Sequence, residues 1–102
     1  MQLIRLNTHE ITEGLNALND WTLDAHAASI SKAWVFDSFK TAIQFIVSVG
    51  EISESHNHHP EFLSTYTKVQ IRLLTHDADG LTHKDFELAL EIDQLVKRDF
   101  LN

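Results

Sequence analysis

Apolar residues recur along the chain at two periods, and the period separates predicted helices from predicted strands. Three segments show the spacing of three to four residues that places side chains on one face of a helix. Thr8, Asp37 and Thr82 precede these segments, and all three belong to residue types that cap helix N-termini. The recurring positions of the first segment are Ile11, Leu15 and Leu18. Those of the second are Phe39, Ile43, Ile46, Val47 and Gly50, and its pattern persists to about Ser55. Those of the third are Leu88, Ala89, Ile92, Leu95 and Val96.

The start of the third helix has a more specific signature. Thr82-His83-Lys84-Asp85 has the form of a capping box. In this motif the threonine hydroxyl and the carboxylate three residues later each accept a hydrogen bond from a backbone N–H that the helix leaves unpaired. Asp85 therefore has a structural role that is sufficient to explain its presence.

Alternating segments predict the strands. Residues 21–36 hold two extended runs joined by a turn near residues 24–28, and Ile30, Trp34 and Phe36 share one parity in the second run. In residues 66–75, apolar and polar side chains alternate, as in a strand with one buried face. The apolar set is Val69, Ile71 and Leu73, and the polar set is Lys68, Gln70 and Arg72. The predicted order of elements is α-β-β-α-β-(β)-α, where no residues are assigned to the strand in brackets. This order predicts an α+β domain with helices on one face of an antiparallel sheet.

Composition and charge narrow the class of protein. A length of 102 residues, 43% of them hydrophobic, predicts one domain over residues 1–102. The absence of cysteine excludes disulfides, thiolate zinc sites and a cysteine nucleophile. No apolar run has the length of a signal peptide or a membrane span, so we expect a cytoplasmic protein without membrane contact. Fifteen acidic residues against eight scattered basic ones disfavour direct nucleic-acid binding, which depends on neutralising phosphates.

Four of the seven histidines lie within residues 56–76. Imidazole is the side chain whose unperturbed pKa lies near neutral pH, so it can both give and take protons there. Pro60 biases the residue before it away from helix, which places His58 and His59 at an irregular corner after the second helix. His76 follows the strand at 66–75, which spans about 33 Å, so the fold or a neighbouring subunit must bring it to His58. This density of histidines favours an acid–base enzyme.

Other interpretations remain open for each residue. The histidines could belong to an ordinary polar loop, or His56, His58 and His59 could bind a metal, although the spacing of a helical zinc site is absent. Glu54 lies four residues before His58 and could reach its imidazole if the helix persists. Trp21 is a core residue or a platform on which a flat heterocycle stacks.

Taken together, these residues resemble the pterin-4a-carbinolamine dehydratase family over roughly residues 15–98. A His-His-Pro corner followed by a Thr-His pair is a far more demanding pattern than a lone dipeptide. The segments that carry the resemblance are Glu54-Ser55-His56-Asn57-His58-His59-Pro60-Glu61, Tyr66-Thr67-Lys68-Val69, Thr75-His76-Asp77, Gly80-Leu81-Thr82 with Asp85, Ala89-Leu90-Glu91-Ile92, Val35-Phe36-Asp37-Ser38-Phe39 and Trp21.

The resemblance implies a four-stranded antiparallel sheet with three helices packed on one face, in the order α-β-β-α-β-β-α. It also implies a homodimer or homotetramer that dehydrates 4a-hydroxytetrahydropterin to quinonoid dihydropterin, the step that recycles tetrahydrobiopterin after aromatic amino-acid hydroxylation. No metal or cofactor is implied. The residues carried over are His58, His59 and His76 as the catalytic histidines, and Glu54, Trp21 and Asp85 as pterin-binding residues.

The sequence departs from the family pattern at Thr67, where asparagine is common, at Leu74, where a small residue is frequent, and at Asn19-Asp20 before Trp21. Family members in animals also act as dimerisation partners of a homeodomain transcription factor. Phe86 and Leu90 lie off the core stripe of the last helix and could form such a protein-binding surface. A role on another pterin, as in the molybdopterin pathway, is a further alternative.

Overall fold

The computed structural model describes residues 4–26 and 28–100. In these residues, three α-helices and four β-strands follow one another in the expected order α-β-β-α-β-β-α. The elements are α1 (Thr8–Asn16), β1 (Thr22–Asp24), β2 (Ser29–Val35), α2 (Phe39–His56), β3 (Glu61–Thr65), β4 (Lys68–Leu73) and α3 (His83–Leu95). One 3-10 turn at His76–Ala78 precedes α3, and one π-helical turn at Val96–Phe100 follows it. The α+β prediction is confirmed.

The four strands form one antiparallel sheet in the order β1-β2-β4-β3. β4 lies beside β2, with Ile30 opposite Leu73 and Trp34 opposite Val69. β3 and β4 form a hairpin whose connection is Tyr66 and Thr67, and Tyr66 has a left-handed backbone with φ 53°. The connection shortens the strand predicted at 66–75 to Lys68–Leu73. β3 forms one edge of the sheet, and all five of its residues are exposed.

The core lies between one face of the sheet and the helices. Val69, Ile71 and Leu73 are fully buried, whereas Lys68, Gln70 and Arg72 alternate with them on the other face, as predicted. The third helix also buries most of its predicted stripe. These residues belong to a single cluster with Trp21, Ile30, Ala42, Phe45, Val49, Leu81, Leu88, Ala89, Ile92 and Leu95.

The face that α2 buries differs from the predicted one. Ala42, Phe45 and Val49 are completely buried, while Ile46 packs at the edge of the core. The predicted stripe of Phe39, Ile43 and Val47 is instead 51%, 39% and 56% exposed. The helix is apolar on two faces, so its periodicity alone does not tell which face meets the sheet.

Two predicted helix caps are wrong by one residue. Asn7, not Thr8, caps α1, because its side chain and Glu10 form a capping box. Ser38, not Asp37, caps α2 and accepts a hydrogen bond from the Thr41 backbone. The predicted turn at 24–28 agrees with the gap between β1 and β2, but Ala27 within it lies outside the described residues.

Candidate active site

The ends of three elements meet around an open cleft of about 340 Å³. Helix α2 contributes the residues just after its C-terminus, β4 contributes the residues that follow it, and α3 contributes its first turn. His58, His59 and His76 therefore lie on one cleft within a single chain, although His76 is 17 positions after His59 in the sequence. The lining residues are Asn57, His58, His59, Leu74, Thr75, His76, Asp77 and Lys84.

The end of α2 sets the direction of the two adjacent histidines. Asn57 follows the helix in a left-handed conformation with φ 51°, which asparagine tolerates better than most residues. The backbone N–H groups of Asn57 and His58 donate to the carbonyls of Glu54 and Ser53, respectively, both at 3.1 Å. The chain thus leaves the helical path before His58.

This departure changes the partner of Glu54. The expected contact between Glu54 and His58 requires an intact helix, and the helix ends at His56. Glu54 Oε2 instead lies 2.5 Å from Nε2 of His59, and both side chains are exposed. An exposed pair of this kind adds little to stability, so its main effect is on the orientation of the His59 ring.

His58 is held by a buried carboxylate. Its Nε2 lies 2.6 Å from Oδ1 of Asp85, which has no solvent exposure, and His58 itself is 9% exposed. The other oxygen of Asp85 accepts hydrogen bonds from the Thr75 hydroxyl at 2.8 Å and from the Thr82 backbone at 3.0 Å. An ionised carboxylate only accepts hydrogen bonds, so this arrangement assigns the proton to Nε2 of His58. Nδ1 is then the ring nitrogen through which His58 can exchange protons with a ligand.

Asp85 also supports the residue before His76. Thr75 donates its only hydroxyl proton to Asp85, so the 2.8 Å contact between Thr75 and Thr82 has the Thr82 hydroxyl as donor. Both threonines are buried. The predicted capping box at Thr82 and Asp85 is present, and the same carboxylate links it to His58 and to the start of the His76 turn.

His76, like His59, is exposed, and both line the cleft together with the buried His58. It begins the 3-10 turn, which is closed by a β-bridge between Thr75 and Gly80. Among residues 4–26 and 28–100, no side chain forms a hydrogen bond with its ring. The position of its imidazole therefore depends on the backbone of this turn.

Trp21 lies outside the cleft of a single chain. Its indole is buried, and its N–H donates to Oδ1 of Asp93 at 3.0 Å, where Lys32 also binds at 3.0 Å. Asp93 is eight residues after Asp85, which corresponds to about 12 Å along α3. Asp85 thus lies with the histidines near the start of α3, whereas Trp21 packs beside Asp93, further along that helix.

His56, which one interpretation assigned to a metal site, points to a different partner. Its Nε2 contacts Oε2 of Glu91 and links the end of α2 to α3. A search of the described residues found no group of three or more histidine, aspartate or glutamate side chains arranged to share a metal ion.

Several lining residues were not singled out from the sequence. Lys84 lines the cleft, and its position beside Asp85 in the capping box was the available signal. Asn57 and Asp77 flank the predicted histidines, so their proximity could have been inferred from adjacency alone. Leu74, noted as a departure from the family pattern, lines the cleft and makes part of its wall apolar.

None of the helices within the described residues combines the length and the apolar character that a membrane crossing requires. Chains of known structure with a similar fold include a transcriptional coactivator/pterin dehydratase from Brucella melitensis. It is 31% identical, with a TM-score of 0.85 over 89% of this chain and 97% of the other. A pterin dehydratase-like protein described as a RuBisCO assembly factor in the alpha-carboxysome has a TM-score of 0.65 at 24% identity, which shows a shared fold alone.

Sequence relatives cover nearly the whole chain. A protein of Sulfurisphaera tokodaii is 42% identical over 92 residues, covering 90% of this chain and 97% of its own. A protein of Sinorhizobium fredii is 42% identical over 90 residues, covering 88% and 86%. Both carry the provisional name pterin-4-alpha-carbinolamine dehydratase. The sequence model of the family described as pterin 4 alpha carbinolamine dehydratase matches residues 4–95, and the chain therefore belongs to this family.

Proposed function

We propose that the protein is a hydro-lyase that converts 4a-hydroxytetrahydropterin to quinonoid dihydropterin and water. The observation that supports this most strongly is the cleft on which three imidazoles meet, one of them fixed by a buried carboxylate. The family membership of the chain and the names of its relatives point to the same substrate class.

The reaction needs two proton transfers and no change of oxidation state. The hydroxyl at C4a accepts a proton and leaves as water, while a base removes the proton from N5. The electron pair of the N5–H bond then forms the C4a=N5 double bond. General acid–base help of this kind typically accelerates a step by about 100- to 10,000-fold per group.

We assign the two proton transfers to His58 and His76. Asp85 holds Nε2 of His58, so Nδ1 is the nitrogen that exchanges a proton with the pterin. His59 orients the pterin ring, and Glu54 in turn orients His59. Asp85 acts through His58, and a direct pterin contact by Trp21 stays a prediction.

Self-association into a dimer or tetramer is part of this proposal. Leu63 lies on the exposed edge strand β3, and the exposed stripe of Phe39, Ile43 and Val47 follows one side of α2. Apolar surface of this kind favours burial against another subunit, because removing it from water is favourable.

The activity is tested by following the breakdown of 4a-hydroxytetrahydropterin with purified protein, against its spontaneous breakdown in buffer. We expect clear acceleration, unchanged after treatment with a chelator, because the proposed steps use imidazoles alone. Loss of activity on chelation would favour a metal-dependent site, and a rate equal to the spontaneous one would refute the proposal.

A further inference from the structure

The segment before α1 contacts the turn that carries His76, here called the His76 loop (residues 75–80). The backbone N–H of Leu6 donates to the carbonyl of Leu81 at 2.8 Å, and Leu6 is 8% exposed. Nη1 of Arg5 donates to the carbonyl of Asp79 at 3.2 Å. Arg5 thus binds the backbone of the loop, and Leu6 binds that of the residue directly after it, more than 70 positions later in the sequence.

The stem of Arg5 also packs against the loop at Gly80. A β-carbon added to Gly80 would lie 2.5 Å from Cδ and 2.9 Å from Cγ of Arg5, both closer than van der Waals contact allows. Gly80 does not have a positive φ, and the left-handed residue of the turn is Asp79, with φ 53°. The close approach of Arg5, rather than an unusual backbone conformation, therefore accounts for a glycine at this position.

The His76 loop is consequently supported from two sides. Thr75 is tied to the buried carboxylate of Asp85, and Asp79 and Gly80 are covered by Arg5. The hydrogen bonds within the loop, from Ala78 to Thr75 and from Asp79 to His76, fix its curvature but not its position on the protein. Since the His76 ring has no hydrogen-bonding side chain of its own among the described residues, its location follows that of the loop.

We infer that Arg5 is a positioning residue for His76, acting through the backbone of Asp79 and Gly80. The inference rests on the proposed function, in which His76 transfers a proton. A displacement of about 1 Å of a catalytic group can lower a rate by about 100-fold, so a partial loss of support produces a measurable effect.

The first experiment compares Arg5→Ala, Arg5→Lys and Arg98→Ala with the wild type. Arg98 is an exposed arginine of the last turn that pairs with its neighbour Asp99, so it serves as the matched control. Hydrogen exchange of the amides in residues 78–80 is measured without substrate, and kcat and KM are measured with it.

We expect Arg5→Ala to accelerate exchange of the 78–80 amides at least about fivefold, because the opening of this loop becomes easier. We also expect it to lower kcat by about three- to tenfold, with KM changing less than about twofold. Arg5→Lys retains a stem and a donor and should recover at least half of the lost kcat, while Arg98→Ala should match the wild type. Unchanged exchange and unchanged kcat in Arg5→Ala would overturn the inference.

The exchange measurement separates this inference from the proposed function. If the wild type does not accelerate dehydration, the proposed function fails, but faster exchange in Arg5→Ala still supports the contact between Arg5 and the loop. If the wild type is active and Arg5→Ala equals it in kcat, the role of Arg5 is refuted and the proposed function stands.

A double-mutant cycle tests the packing directly. In the wild type, Gly80→Ala pushes the Arg5 stem away and should lower kcat about fivefold. In the Arg5→Ala background the stem is absent, so Gly80→Ala should have less than about a twofold effect. Equal effects in the two backgrounds would show that Gly80 acts independently of Arg5 and would overturn the inference.

Discussion

The carboxylate of Asp85 joins His58 to the cap of α3. Its Oδ1 lies 2.6 Å from Nε2 of His58, and its Oδ2 accepts the backbone N–H of Thr82 at 3.0 Å. A single buried side chain therefore fixes both the start of a helix and the orientation of an imidazole. The capping role predicted from the sequence and the functional role implied by the resemblance are compatible, because they use different oxygens.

Asp85→Asn should lower kcat at least about tenfold. If the amide oxygen keeps the bonds from Thr75 and Thr82, its NH₂ group faces Nε2 of His58, which must then lose its proton. The ring would shift to the tautomer protonated on Nδ1, the nitrogen that we assign to catalysis. Steady-state kinetics and the ¹⁵N shifts of the imidazole measure both effects.

The matched control is Asp93→Asn, which changes the other buried carboxylate of α3, about 12 Å further along the helix. It should lower the free energy of unfolding, because it weakens the bonds that Asp93 accepts from Trp21 and Lys32. Its kcat should stay within about twofold of the wild type. Equal losses of kcat in the two variants would show that Asp85 acts only through stability.

The two capping boxes should differ in their contribution to stability. Thr82→Ala should lower the free energy of unfolding by about 2 kcal/mol, because it removes a cap and a buried hydroxyl bonded to Thr75. Asn7→Ala removes an exposed cap and should lower it by about 0.5–1 kcal/mol. Urea unfolding measures both values, and equal losses would contradict the buried hydroxyl chain.

The order of elements was predictable because the core follows simple periodicities. Val69, Ile71 and Leu73 alternate with polar residues, and the third helix buries most of its predicted stripe and begins with the predicted capping box. β3 was not assigned from the residues, because all of it is exposed at a sheet edge and it lacks the alternation of a half-buried strand. Asn7 and Thr8 are both capping types, and only the position of Glu10 distinguishes them.

The grouping of the histidines came from the resemblance, since chain spacing alone separates His58 from His76. The pairing of Glu54 with His59 in place of His58, at the end of α2, was not predictable from helical spacing. Asn57 ends the helix in a left-handed conformation, so Glu54 meets His59 while His58 turns to Asp85. The contact of Arg5 with the His76 loop has no local sequence signal, because it joins distant parts of the chain.

Trp21→Phe tests the predicted pterin contact of this residue. The indole is buried and donates to Asp93, so we expect a loss of about 1–2 kcal/mol in the free energy of unfolding. A direct pterin contact, made through a neighbouring subunit because Trp21 does not line the cleft of a single chain, predicts a KM raised about fivefold or more. A KM within about twofold of the wild type would refute the contact.

Val47→Glu should reduce the mass of the assembly that the protein forms in solution, because it weakens the contact between subunits. Val47 is 56% exposed on the apolar stripe of α2, and a buried carboxylate at a subunit contact would be costly. Gln44→Glu places the same charge at an exposed position of the same helix off this stripe, and it should leave the mass unchanged. Light scattering measures both, and a monomeric wild type would contradict the proposed self-association.

The most direct test of the proposed mechanism is the rate of 4a-hydroxytetrahydropterin dehydration by His58→Ala and His76→Ala. His26→Ala, which changes an exposed histidine after β1, is the control. We predict that the control matches the wild type and that each of the other variants is slower by at least about tenfold. Rates equal to that of the wild type in both His58→Ala and His76→Ala would contradict the assignment of proton transfer to these imidazoles.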